Sequence, residues 1–241
     1  MIRTAWHDQV LVVTIDRPER RNAVNHEALE GLRAAQREAV DGQARVLVLT
    51  GASGAFCAGA DLTGVEDVGF AENLVAVLLG FGELEAVAVA AVDGPALGAG
   101  CQLAAACDLR VATPGSRFGI PAAKLGLAID WWTVRRLSAE AGPPVARAML
   151  LGAAAYTGDQ LHASGFVHRL GGLHEALRWA DEIAHLAPLT LAAHKRGLEA
   201  LEGTPVDPAF EAKRLAAWRS ADAVEGREAF LGKRPPVFRG E

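Results

Sequence analysis

Residues 86–113 read "AVAVAAVDGPALGAGCQLAAACDLRVAT". The opening run is apolar at nearly every position, short and rich in valine. It reads as a strand buried on both faces. Glycines at 94, 98 and 100 then make a tight turn. A helix of small residues follows from about Gly98 to Ala106, and "DLRVAT" (108–113) returns as a strand. Strand, turn, helix and strand in one short stretch predict an α/β protein with parallel pairing.

The flanking sequence repeats the theme. "VLVVTID" (10–16) and "ARVLVLTG" (44–51) are further apolar strands. Between them Asn25 caps a helix over about 27–41, with Leu29, Leu32, Ala35, Gln36 and Ala39 at helical spacing. Another helix is predicted over 70–83. Beyond residue 130 strand signals nearly vanish. Helices are predicted at 131–139, 143–151, 157–164, 173–187, 189–202, 208–219 and 221–231, with Thr157 and Gln160 forming a capping box. The tail "KRPPVFRGE" (233–241) is too rich in proline to be helical. The expected division is an α/β core over 1–185 and a helical C-terminal region over 186–241.

Bulk properties exclude several classes. The chain has 241 residues, 51% hydrophobic and 22% charged, which suffices for one large domain without disulfides or metals. Its net charge is −5 and its pI about 5.8, with no basic patch, so nucleic acid is not expected as a partner. No apolar run approaches the ~20 residues of a membrane span, and the N-terminal stretch lacks a leader's apolar core. Cys57, Cys101 and Cys107 are odd in number and form no CxxC, so they are expected as reduced thiols in a cytoplasmic protein.

Familiar motifs fail. "GPALGAG" is not GxGxxG, and "GASGA" is not a nucleophile elbow because position 55 is alanine. No P-loop is present. His174–Glu175 opens no HExxH because position 178 is arginine, and no metal site is expected. What remains is two Gly/Ala-rich turns, 54–62 and 94–100. They have two readings. One is close packing between strand and helix. The other is a pair of backbone N–H groups converging on one oxygen, with a helix start supplying free donors.

Taken together, "RPERRNAVN" (17–25), "LTGASGAFCAGADL" (49–62), "VDGPALGAGCQLAAACDLRVAT" (92–113), "FGIPAAKLGL" (118–127) and "EGREAFLGKRPPVF" (225–238) resemble the crotonase superfamily, the enoyl-CoA hydratase/isomerase family. The resemblance covers essentially the whole chain in order. It implies a spiral of ββα units followed by a helical trimerisation region, a homotrimer or a hexamer of paired trimers, and a fatty acyl-CoA ligand with no further cofactor. It places the oxyanion-hole donors on Ala60 and Ala99. It places Arg21, Ala23, Ala58, Asp61 and Leu62 near the nucleotide end of CoA. Phe230 and Lys233 match a tail that reaches CoA, although Lys233 also reads as a solvated tail charge.

The same resemblance exposes a departure. The positions at which the family carries two glutamates fall on Gln102 and Ala122. A glutamine amide can orient a water but not exchange protons with it, and alanine can do neither. This pattern resembles an actinobacterial hydratase-like subgroup that keeps the acyl-CoA pocket without the acid pair. Such a protein would hold acyl-CoA, with a fatty-acid pathway enzyme as its expected partner. Asp130 matches a catalytic aspartate in a dehalogenase branch of the superfamily. It reads first as the N-cap of the helix that follows, and one residue can serve both roles. Trp131 and Trp132 read either as acyl-pocket walls or as core.

Overall fold

The computed structural model describes residues 1–63, 68–201, 215–216 and 218–237. The main sheet has six strands in the order β1-β2-β3-β4-β6-β9. They are β1 (Ile2–His7), β2 (Val10–Ile15), β3 (Val46–Gly51), β4 (Val87–Val92), β6 (Leu109–Ala112) and β9 (Arg169–Leu170). Only the β1–β2 pair is antiparallel. A second sheet joins β5 (Pro95–Leu97), β7 (Arg117–Gly119) and β8 (Ala155–Thr157).

The spiral follows from how briefly the chain rests between the sheets. After β4, Asp93 and Gly94 carry it into β5, and α3 (Ala99–Ala106) begins two residues after β5 ends. This is one ββα unit. Isolated bridges from Val24 to Ala60 and from Cys57 to Ala96 continue the second layer, setting residues 57–60 beside β5. The second half of the 86–113 stretch thus lies directly against the other Gly/Ala-rich turn.

The central strands bury both faces. Leu11, Val13, Leu47, Leu49, Ala88 and Ala90 join the larger core, which also takes in residues of α1 (His26–Asp41), α2 (Val68–Glu83) and α3. Their alternates Val10, Val12, Val46, Val48, Val87 and Val89 pack with Ala176, Ala180 and Ile183 of α7 (Leu173–Ala184). Two buried faces explain why these strands read as unbroken apolar runs. Asn25 caps α1 by accepting from Ala28 N, and the capping box of Thr157 and Gln160 opens α6 (Gly158–Ala163).

Helices α4 (Trp131–Glu140), α5 (Pro143–Leu151) and α8 (Pro188–Leu201) fall where the sequence places them, as does the last described helix, Ala221–Leu231. Most of the predicted helix 208–219 lies outside the described residues. Lys195 fastens α8 to the sheet. Its Nζ donates to Ala86 O and Asp108 Oδ2, both at 2.8 Å. The last helix packs on the 3-10 turn Pro121–Leu125 so closely that a Cβ on Gly226 would meet Leu125 O at 2.2 Å. Strands β1, β5, β7, β8 and β9 are additions to the sequence reading. Four have three residues or fewer or lie at the sheet edge, and β1 is mostly exposed, so none carries a strong apolar pattern.

Candidate functional site

The two turns and the small-residue helix enclose a cavity of about 370 Å³. Its polar end is built by backbone. Gly98 has φ +52°, a conformation that glycine adopts without strain and that sets up α3. Ala99 is the first residue of α3, so its N–H precedes the helical hydrogen-bond ladder. Opposite it, Val24 N donates to Gly59 O and Asp61 N to Val24 O, fixing the backbone on both sides of Ala60. A Cβ on Gly100 would lie 2.1 Å from Cys57 O, so glycine is needed for the turns to meet. Ala60 and Ala99 both line the cavity.

The apolar wall comes from three elements. From α2 come Phe70, Leu74 and Val75, and from the segment around the 3-10 turn come Ile120, Ala122 and Leu127. Trp218 and Phe230 close it from the C-terminal region, and Trp218 Nε1 donates to Ala128 O. The α2 residues and Trp218 were missed from sequence. No motif surrounds them, and a helix as apolar as α2 reads simply as core.

Gln102 lies on α3, one turn beyond Ala99, and is 5% exposed. Its Nε2 donates to Asp130 Oδ2 at 2.9 Å and to Thr133 Oγ1 at 2.7 Å. Asp130 is the N-cap of α4. Its Oδ1 accepts from Thr133 N at 2.9 Å and its Oδ2 from Thr133 Oγ1 at 2.7 Å. Asp130 lines the cavity as well, so its two readings are compatible in position, with both oxygens engaged.

The cavity brings together Arg21, Ala58, Ala60, Leu62, Ala99, Gln102, Ala122, Asp130 and Phe230 of the sequence candidates. The other five lie elsewhere. Ala23 O accepts from Arg17 Nη1. Asp61 turns its carboxylate to Arg17 Nη2 at 3.0 Å, both side chains being 10% exposed. Burial opposes ionisation of Asp61, but hydrogen bonds from Thr63 and Arg17 outweigh it and hold the carboxyl below its usual range. Trp131 starts α4 away from the cavity wall, and Trp132 packs on the core, with the Arg136 guanidinium 5.9 Å from its ring centroid. Lys233 is exposed beyond the last helix.

Other reactive groups are quiet. Burial pushes the thiols of Cys57, Cys101 and Cys107 up to about 12, where they stay protonated. Among the described residues no three His, Cys, Asp or Glu side chains gather as a metal site, and no helix is long and apolar enough to cross a membrane.

The fold and site define an α/β spiral whose paired glycine turns open on an apolar cavity, and comparison with known proteins assigns that architecture to a family. Methylmalonyl CoA decarboxylase superimposes with a TM-score of 0.90 at 22% identity, covering 100% of this chain and 98% of that one, a likeness of fold alone. "Probable enoyl-CoA hydratase echA6" of Mycobacterium tuberculosis is 43% identical over 244 residues, spanning 100% of both chains. Its namesake in Mycobacterium leprae is 40% identical over 247 residues, again across 100% of both. The enoyl-CoA hydratase/isomerase family model matches residues 6–241, and the chain belongs to that family.

Proposed function

We propose that this protein binds fatty acyl-CoA and hydrates it weakly or not at all. The observation that carries this reading is the company Gln102 keeps. Addition of water across a conjugated double bond needs one group to take a proton from water and another to deliver one to carbon. At Gln102 both amide hydrogens are directed to Asp130 and Thr133. Ala122 offers only a methyl group at the cavity wall. Each missing acid–base group forfeits about 10²–10⁴ in rate, so several kcal/mol of transition-state stabilisation are gone. The backbone donors at Ala60 and Ala99 remain to hold a thioester oxygen.

In this reading Arg21 and Ala58 flank the CoA end and the α2 residues receive the acyl chain. The protein acts in the cytoplasm as a homotrimer or hexamer and hands its thioester to a fatty-acid pathway enzyme. Leu189 at 82% and Leu198 at 65% exposure are apolar side chains of α8 left uncovered in the single chain, on opposite sides of the helix. A second reading keeps the protein an enzyme, with Asp130 as the acting carboxylate, because Asp130 is in the cavity wall.

Calorimetric titration with octanoyl-CoA and palmitoyl-CoA, beside a crotonyl-CoA hydration assay on the same preparation, tests both. Micromolar-range binding without loss of the conjugated-thioester absorbance is expected. Robust hydration that collapses in Asp130→Asn while binding persists establishes the second reading. Absence of acyl-CoA binding sinks both.

A further inference from the structure

Resting on the acyl-CoA reading, we infer that Asp130 is a positioning residue that locks the Gln102 amide with its oxygen toward the cavity, and that the site thereby selects 3-hydroxyacyl thioesters over 3-oxoacyl thioesters. The orientation of the amide follows from its partners. A carboxylate accepts hydrogen bonds and has none to give, so the atom of Gln102 at 2.9 Å from Asp130 Oδ2 is the nitrogen. The second amide hydrogen goes to Thr133 Oγ1, whose own hydrogen is donated to Asp130. With the nitrogen fully used, the amide oxygen is the group Gln102 turns to the cavity it lines.

Position decides what this oxygen reads. Gln102 is three residues beyond Ala99 in α3, about 4.5 Å along the helix axis. A thioester oxygen held at the N–H groups of Ala60 and Ala99 has its C3 two bonds from the carbonyl carbon, within reach of a side chain one turn on. The surroundings there are apolar, with Leu74, Ile120, Ala122 and Ile129 in the wall. An acceptor in such a place gains a hydrogen bond from a C3 hydroxyl. A C3 ketone offers only another oxygen, leaving two acceptors face to face and unsatisfied.

Competitive binding of octanoyl-CoA, racemic 3-hydroxyoctanoyl-CoA and 3-oxooctanoyl-CoA tests the inference. The wild type is expected to bind the hydroxy form at least about fivefold tighter than the oxo form. In Asp130→Asn the cap survives, because asparagine caps as well as aspartate. Its side-chain oxygen accepts from Thr133 N, its NH2 faces Gln102, and the Gln102 amide must turn its own NH2 to the cavity. The ratio is then expected within about twofold of unity, and Gln102→Leu, which deletes the acceptor, should give the same result. A merely structural role for Asp130 would weaken all three ligands together and leave the ratio alone. Octanoyl-CoA binding with equal affinity for the hydroxy and oxo forms in the wild type overturns the selectivity. So does a wild-type ratio that persists in both variants. No binding of octanoyl-CoA overturns the acyl-CoA reading and this inference with it.

Discussion

Gln102 Nε2 sits 2.9 Å from Asp130 Oδ2, a spacing that suits an amide and excludes a second ionised carboxylate. The Gln102→Glu variant is therefore not expected to supply a general base. Two carboxylates at this distance share a proton, and the introduced acid is held above its ordinary range. The native state then binds more protons than the unfolded chain. The penalty is absent below the unfolded carboxyl range, grows as pH rises through the native value and levels off above it. Denaturant unfolding should show a loss of about 1–3 kcal/mol at pH 8 that shrinks toward pH 4. Crotonyl-CoA hydration should stay undetected in Gln102→Glu combined with Ala122→Glu. It should emerge only when Asp130→Ser, which keeps a cap, is added.

The Arg17–Asp61 pair joins the loop at 17–23 to the turn at 58–62, and both partners are nearly enclosed. Replacing Asp61 by Asn strands a guanidinium with little water to compensate it. A loss of about 3 kcal/mol is expected by chemical denaturation. Octanoyl-CoA affinity should also fall, because Ala58 and Ala60 ride on that turn. The double variant Arg17→Met with Asp61→Leu should be less damaged than Asp61→Asn alone, since it leaves no charge behind.

A third expectation concerns acid. His168 Nδ1 accepts the Arg110 N–H at 3.1 Å, so the ring is neutral on that side. Burial, reinforced by the Arg110 charge, lowers its pKa to about 4. The unfolded chain binds this proton near pH 6.5 and the native state does not. Stability from this group is complete above pH 6.5 and is lost as pH falls through 4. Roughly 2–3 kcal/mol is at stake after allowance for partial exposure. Denaturation midpoints between pH 7 and 4 should fall more steeply for the wild type than for His168→Gln, whatever the variant's starting stability.

Much of the fold is legible in the sequence alone. The two-faced burial of β3 and β4 is written as unbroken apolar runs, and the caps at Asn25, Thr157 and Asp130 each announce a helix through one polar side chain. The meeting of 57–60 with 95–100 was legible only as two glycine-rich turns of uncertain purpose, because glycine marks a close approach without naming what approaches. The bridge from Gln102 to Asp130 spans 28 residues and has no local signature. Asp61 is the converse case. It lies inside a family motif, yet its carboxylate is committed to Arg17, a contact across 44 residues that no spacing rule reports.

The glycine turns make the last prediction. In the proposed reading a ligand's carbonyl oxygen uses the Ala60 and Ala99 N–H groups only while the turns stay in contact, and Gly100 permits that contact by lacking a Cβ 2.1 Å from Cys57 O. The obstacle is backbone, so it cannot swing aside. Gly100→Ala must push α3 away and separate the two donors. The wild type should bind octanoyl-CoA about tenfold tighter than S-octyl-CoA, a thioether with the same chain and no carbonyl, as expected for hydrogen bonds to a partly charged oxygen. In Gly100→Ala the two ligands should approach equal affinity. Parallel weakening of both, with the tenfold ratio kept, would show that the turns shape the pocket without holding the thioester oxygen.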